Sequence, residues 1–171
     1  MGDSARSTPD AARFRGPRDV AIAWGLVGVQ AALIVAILLV PVGDAWPLPP
    51  AAEALSTSLT WGGIALLVWA ILVFGRGVTP SPLPSPKAQL RTRGPYRWIR
   101  HPMYTGVIML MTGSALDRRS WPAAALWVAL VGFLAVKARW EEQRLAEIYP
   151  GYERYRENVN AFVPLPSRTS S

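Results

Sequence analysis

The chain contains no cysteine and only one histidine, His101, among its 171 residues. Without cysteine there is no disulfide framework, no thiolate metal site and no cysteine nucleophile. A single histidine also argues against a zinc site, because such sites are built mainly from several histidines and cysteines. Any chemistry of this chain therefore has to come from carboxylates, cations, hydroxyls and aromatic rings, without a metal.

Charge is missing from two long stretches, although the net charge is +7. Val20–Val40 and Leu55–Phe74 carry no charged residue, and at ~1.5 Å per residue each run reaches the ~30 Å of a hydrocarbon core. The basic residues lie between the apolar runs, which is typical of a membrane protein and argues against nucleic-acid binding. The apolar part of a signal peptide has ~7–15 residues, so the longer first run is interpreted as a membrane anchor.

Two shorter apolar runs follow, Met103–Leu116 and Trp121–Val136, joined by the polar turn 117–120. They predict a helical hairpin whose arms are each short for a membrane crossing unless their flanks help or the bilayer thins. Small residues in the second long run, among them Gly62 and Gly63, either permit close helix contact or are simply tolerated there. The predicted fold is an all-α polytopic membrane domain with four transmembrane helices, the last two forming a short hairpin.

The distribution of basic residues predicts the orientation. All but two of the 18 lysines and arginines lie in the N-terminal tail, between the second and third apolar runs, or after the fourth. We expect the protein to lie in the cell membrane. Because basic residues accumulate on the cytoplasmic side, we expect both of its termini to face the cytoplasm. The first two helices are expected to act as anchors, with no role assigned to them in chemistry.

The segment Gly94–Gly106 reads G-P-Y-R-W-I-R-H-P-M-Y-T-G and concentrates cationic and aromatic side chains before the hairpin. The end of the second arm of the hairpin carries Lys137, Arg139, Glu141 and Glu142. If the two arms are antiparallel neighbours, these groups converge, and charges at the edge of hydrocarbon are costly unless paired or useful. The ordinary alternative stays open, in which the cations and aromatics are interfacial anchors and the carboxylates form a solvated helix face.

After Lys137 the residues Leu145, Ile148 or Tyr149, Tyr152 and Tyr155 recur at helical spacing among charged residues. Pro150 and Gly151 are expected to break this helix. The pattern predicts an amphipathic cytoplasmic C-terminal helix that either rests on the membrane surface or folds back over the hairpin.

The Gly94–Gly106 motif, the apolar hairpin and the run E-E-Q-R-L-A-E-I-Y-P-G-Y-E-R-Y together resemble the isoprenylcysteine carboxyl methyltransferase family. That family also includes related phospholipid and small-thiol methyltransferases, and the resemblance covers 89–164. It implies a membrane methyltransferase that uses S-adenosylmethionine, bound near the cytoplasmic face and covered by the C-terminal segment. The acceptor would be lipophilic or small, with a carboxylate, thiol or amine. Carried over by position, the cofactor-binding residues are Leu90, Arg91, Tyr96, His101, Pro102, Met103, Tyr104 and Glu141.

The resemblance also suggests substrate-binding residues. In the prenylcysteine enzymes an arginine one helical turn before the first glutamate is tied to the substrate carboxylate, and here that position is Lys137, with Arg139 nearby. Lysine keeps the charge but loses the bidentate fork of arginine, so the acceptor stays open. No catalytic residue is assigned, and His101 and Glu142 are both candidates for a base if the acceptor must first lose a proton.

On this interpretation the chain divides into a flexible basic tail (1–18), two anchoring helices (19–75), a methyltransferase core (76–164) and a loose tail (165–171). The expected partners are the lipid bilayer and the methyl acceptor. Two other functions stay open. Membrane NADPH-dependent sterol-type reductases carry a run similar to Pro102–Gly106, and the fold also suits a membrane scaffold without catalysis.

Overall fold

A computed structural model describes residues 16–75, 90 and 92–164. Within these residues the chain is all-helical, as predicted, and has no β-strand. The elements are α1 (Pro17–Leu39), α2 (Pro50–Phe74), a 3₁₀ helix (Gly94–Arg97), α3 (Pro102–Arg118), α4 (Trp121–Ile148) and α5 (Tyr152–Asn158). The predicted loose tail at 165–171 lies outside the described residues, as do most of the basic tail and the segment 76–89.

Prolines mark where helices begin and end. The helices α1, α2, α3 and α4 each have proline in the first or second position, where its missing N–H costs nothing. For this reason α2 begins at Pro50, five residues before the apolar run at Leu55 that predicted it. At the other end of the chain α4 stops before Pro150, so the predicted break between α4 and α5 is confirmed.

The predicted short hairpin has unequal arms. Helix α3 has 17 residues, whereas α4 has 28 and continues without a break from its apolar half through Lys137 to Ile148. The prediction that this arm ends near Val136 is wrong, because 137–148 consists mostly of good helix formers and contains neither glycine nor proline. The change from apolar to charged composition marks the edge of the hydrophobic region, not the end of the helix.

Three of the described helices, α1, α2 and α4, are long and apolar enough to cross a membrane. Their outward faces expose large apolar side chains, including Leu39, Trp61, Leu72 and Val136. An apolar surface of this extent suits contact with lipid. Helix α3 is shorter than these three, so a fourth crossing stays a prediction.

Helix α3 lies at the centre of the helix packing, in contact with α1, α2 and α4. Its approach to α2 is very close: a Cβ added to Gly63 would lie 2.6 Å from the Leu110 backbone nitrogen and 2.7 Å from the Gly106 oxygen. At Gly113 an added Cβ would lie 2.5 Å from the carbonyl oxygen of Ser56. The small residues are therefore required here, which decides between the two interpretations left open for Gly63.

At the end of the molecule away from His101, the loop between α1 and α2 is tied to the turn between α3 and α4. Arg118 donates to the Val40 oxygen at 2.8 Å, and Arg119 donates to the Trp46 oxygen at 2.9 Å. These are the two basic residues that are predicted to lie on the opposite side from the other sixteen. Their bonds to loop carbonyls give them a structural role. The ties hold the α1–α2 loop against the turn of the hairpin, and at the other end the start of α3 lies beside the second half of α4.

Candidate functional site

The motif before α3 is held against the end of α2. Gly94 has φ 59°, which favours glycine, and a Cβ there would lie 2.7 Å from Val73 Cγ2. The ring of Tyr96 lies 5.8 Å from that of Phe74, and both Tyr96 and Pro95 are buried. The 3₁₀ helix thereby delivers His101 to the start of α3 in a fixed position.

His101 lies between the two carboxylates of α4. Its Nε2 is 2.9 Å from Glu142 Oε1, and its Nδ1 is 3.9 Å from Glu141 Oε2. The same Glu142 accepts from Arg100 Nε at 2.8 Å. His101 and Glu142 are each 8% exposed, so this charged group is shielded from water and its hydrogen bonds are strong.

A second set of contacts adjoins the first on the side of the apolar core. The Tyr104 hydroxyl donates to Glu141, and the Tyr104 ring stacks on that of His101 with centroids 5.4 Å apart. The Lys137 Nζ lies 5.1 Å from the centroid of the Tyr104 ring, and Lys137 is only 4% exposed. The structure thus brings together most of the residues whose convergence was predicted from the two arms of the hairpin, but not Arg139, which is exposed. We call His101, Tyr104, Lys137, Glu141 and Glu142 the motif cluster.

The chain after α5 runs along the start of α3. The backbone N–H of His101 donates to the Ala161 oxygen at 2.9 Å, and Thr105 Oγ1 donates to the Phe162 oxygen at 3.0 Å. The Phe162 ring lies 5.8 Å from that of His101. We call residues 159–163 the strap. The strap thus packs on the start of the hairpin, and the placement of the C-terminal helix relative to the membrane surface stays a prediction.

Two side chains fasten the strap and α5 to the motif. Arg100 Nη1 donates to the Arg156 oxygen at 2.7 Å and to the Val159 oxygen at 2.5 Å. The Tyr155 hydroxyl donates to the Tyr96 oxygen at 2.5 Å. Burial raises the pKa of Tyr155 to about 12, so this hydroxyl keeps its proton at physiological pH. The cover over the motif cluster is therefore held by two charge-assisted hydrogen bonds from Arg100 and one neutral hydrogen bond from Tyr155.

The remaining predicted site residues lie around the cluster or away from it. Pro102 is fully buried at the start of α3, while Met103 and Leu90 are half-buried. Arg139 is exposed, because residues two apart on a helix point ~200° away from each other and Lys137 already faces inward. Arg91 lies outside the described residues.

Gln30 of α1 is a residue that sequence reasoning missed. Lys137 Nζ donates to Gln30 Oε1 at 2.7 Å, so the first helix reaches the motif cluster. This contact was not predicted, because α1 was assigned no role beyond anchoring. The signal was present, since Gln30 is the one amide or charged side chain in the run Val20–Val40. In the first turn of α1, Asp19 pairs with Arg144 at 3.3 Å.

The donor set of the motif cluster fits S-adenosylmethionine. The cofactor presents an ammonium, a carboxylate, a sulfonium and an adenine, for which carboxylates, cations and aromatic faces are suitable partners. Within the described part of the chain the Tyr152 hydroxyl is buried without a hydrogen-bond partner, and burial raises its pKa. Its surroundings include the charges of Glu142 and Arg100. A buried donor left unpaired beside this group is one that a polar ligand could satisfy.

A family model described as phospholipid methyltransferase matches residues 52–151, more than half of the chain. The match runs from α2 through the end of α4 and includes the whole motif cluster, whereas α1 and the strap lie outside it. No curated protein and no solved structure matches the chain.

Proposed function

Since the chain belongs to the phospholipid methyltransferase family, we propose that this membrane methyltransferase takes its methyl group from S-adenosylmethionine and transfers it to a lipid-borne acceptor. The observation that carries the proposal is the motif cluster itself. It joins a carboxylate, an imidazole, a phenol ring and a buried ammonium beneath the strap, at the end of a helix bundle with an apolar exterior.

The proposed cofactor contacts follow from charge and shape. Glu141 suits the ammonium group or the ribose hydroxyls, because its carboxylate is held by one hydrogen bond from Tyr104 and keeps further acceptor capacity. The stacked rings of His101 and Tyr104, with Phe162 of the strap nearby, suit the adenine or the sulfonium. When bound, S-adenosylmethionine supplies an electrophilic methyl group. The strap would shield the site from water and keep the partners aligned.

Lys137 is proposed to hold the acceptor. Its ammonium is buried among apolar helices, where a cation is costly unless it is paired or functional. An amphiphile that enters from the bilayer and carries an anionic group near its reacting atom would fit this position. A carboxylate or thiolate acceptor would need no base, whereas an amine must first lose its proton, for which His101 and Glu142 are the candidates. Arg139, which is exposed, has a weaker claim to this role.

In the proposed arrangement α3 makes a fourth crossing and both chain ends face the cytoplasm. The packing of α3 between α1, α2 and α4 supports the crossing, because a central helix of a membrane bundle shares the depth of its neighbours. The basic residues around the motif support the orientation. The division into anchor and core is modified, since α1 contributes Gln30 to the core.

Thermal shift of the purified protein with S-adenosylmethionine or NADPH tests the cofactor. Stabilisation by S-adenosylmethionine is expected in the wild type, and Glu141→Gln should reduce it. Glu147→Gln is the matched control, since Glu147 is an exposed glutamate on the same helix. Stabilisation by NADPH alone would support a reductase, and no response to either compound would support a scaffold without catalysis. Equal responses in the two glutamate variants would remove Glu141 from the site.

A further inference from the structure

Gln30 is a polar side chain in the middle of an apolar helix. It lies in the interior of α1, within an uncharged run long enough to cross the membrane, and it is half-buried. A polar side chain at this depth is costly unless it is paired. Its partner is the ammonium of Lys137 at 2.7 Å. Since α1 lies outside the residues matched by the family model, family membership assigns nothing to this contact.

Because of this contact, the hydrogen-bond partner of Lys137 is Gln30 and not the nearby Glu141. Lys137 and Glu141 are four residues apart on α4, the spacing at which opposite charges on a helix usually pair. Within the described ranges, the salt bridges at or below 4.0 Å include none between these two residues. The ammonium is bonded to Gln30 and faces the Tyr104 ring, while Glu141 accepts from the Tyr104 hydroxyl. The ammonium is therefore hydrogen-bonded to Gln30, while Glu141 lies within electrostatic range of it without forming a salt bridge.

We propose that Gln30 is a positioning residue of the methyl-donor site, which holds the Lys137 ammonium towards α1 and so keeps the Glu141 carboxylate available to the positively charged cofactor. This inference rests on the proposed function, because it gives Glu141 its cofactor. An uncharged amide suits the role, since it accepts a hydrogen bond from the ammonium without cancelling the charge that the acceptor needs. Without Gln30 the ammonium would turn to Glu141, one helical turn away, and compete there with the cofactor.

A purely structural role predicts something different. In that case Gln30 would only dock α1 on α4, and any other loss of α1 packing would have the same effect. Leu33 provides the matched control, because it lies on α1 one turn from Gln30 and packs against the buried core of Ile37, Val107, Met111, Leu130 and Leu134. Its truncation would weaken the same helix contact without touching Lys137.

The test is calorimetric titration of the purified full-length protein with S-adenosylmethionine. Gln30→Leu is expected to raise the Kd about tenfold, the size of effect typical of coupled neighbours. Gln30→Glu keeps an acceptor for Lys137 and should stay within about twofold of the wild type. Leu33→Ala should lower the melting temperature and leave the Kd unchanged.

The decisive variant is the double substitution Gln30→Leu with Lys137→Met. It removes both polar partners, which a folded protein tolerates better than removing one. No ammonium remains to occupy Glu141, so the double variant should bind as tightly as Lys137→Met alone and more tightly than Gln30→Leu. An unchanged Kd in Gln30→Leu, or a double variant as weak as Gln30→Leu, would overturn the inference while leaving the proposed function standing. A wild type that does not bind the cofactor would overturn both.

Discussion

His101 Nε2 lies 2.9 Å from Glu142 Oε1, although 41 residues separate the two in sequence. This contact joins the motif before α3 to the charged half of α4, and Arg100 binds the same carboxylate. Because Arg100 also binds two carbonyls of the C-terminal segment, one ionic group connects the hairpin to its cover. Glu142 therefore both contacts His101 of the motif cluster and stabilises, through Arg100, the docking of the C-terminal segment.

Replacing Glu142 should destabilise the protein as well as the site. Glu142→Gln leaves the half-buried Arg100 without its counter-charge, although Arg100 keeps its two carbonyl acceptors. We expect a loss of about 2–3 kcal/mol, somewhat below the usual cost of breaking a buried ion pair. Thermal unfolding in detergent measures it. Glu153→Gln, which breaks an exposed pair with Arg156, should be almost neutral, and equal effects of the two substitutions would contradict the prediction.

The close packing of α2 on α3 can be tested with two glycines. Gly63→Ala places a methyl group 2.6 Å from the Leu110 nitrogen, so the helices must separate, at a cost of about 1–3 kcal/mol. At Gly132 of α4 an added Cβ meets nothing within 4 Å, so alanine should be neutral or stabilise the helix by up to ~1 kcal/mol. Gly63→Ala should therefore lower the melting temperature and Gly132→Ala should leave it unchanged or raise it, and an undiminished melting temperature in Gly63→Ala would show that the packing is looser than described.

The strap should contribute to cofactor binding through Phe162. Phe162→Ala removes the ring that lies 5.8 Å from His101 while the backbone bonds of the strap stay in place. We expect affinity for S-adenosylmethionine to fall about tenfold, since aromatic contacts with a cation contribute on the order of 1 kcal/mol or more. Val163→Ala alters an exposed neighbour and serves as the control. If both variants bind like the wild type, the strap does not cover the cofactor.

The Tyr155 hydroxyl predicts how stability responds to alkali. Burial raises its pKa from 10.0 to about 12, so the folded state holds this proton more tightly than the unfolded chain does. Its contribution to stability is therefore present below pH 10 and is lost as the pH rises towards 12. Melting temperatures across this window should fall more steeply for the wild type than for Tyr155→Phe. Parallel curves would show that this hydroxyl is not the buried donor to Tyr96.

The sequence predicted what depends on local composition. Uncharged runs indicated α1 and α2, the proline and glycine at 150–151 indicated the end of α4, and basic and acidic residues at the two ends of the hairpin indicated their convergence. The length of α4 was missed because a change from apolar to charged residues looks like a boundary, although helix propensity continues across it. Such errors concern where an element ends more than whether it exists.

Long-range partners could not be read from the sequence in the same way. The bond from Lys137 to Gln30 joins residues 107 positions apart, and nothing in local periodicity fixes which face of α1 meets α4. The contacts of the strap with His101 and Thr105 likewise depend on how the chain turns after α5. A lone amide in an apolar run was the only hint, and it indicates that a partner is needed without saying which one.

Transfer of a labelled methyl group tests the central claim most directly. The purified protein in vesicles made from a native lipid extract would be incubated with methyl-labelled S-adenosylmethionine, and the lipid fraction analysed by mass spectrometry. We predict a labelled lipid whose formation is abolished by Glu141→Gln and retained by Glu147→Gln. Cofactor binding without label in any lipid would contradict a lipid-borne acceptor, and label that appears equally with both variants would contradict the assigned site.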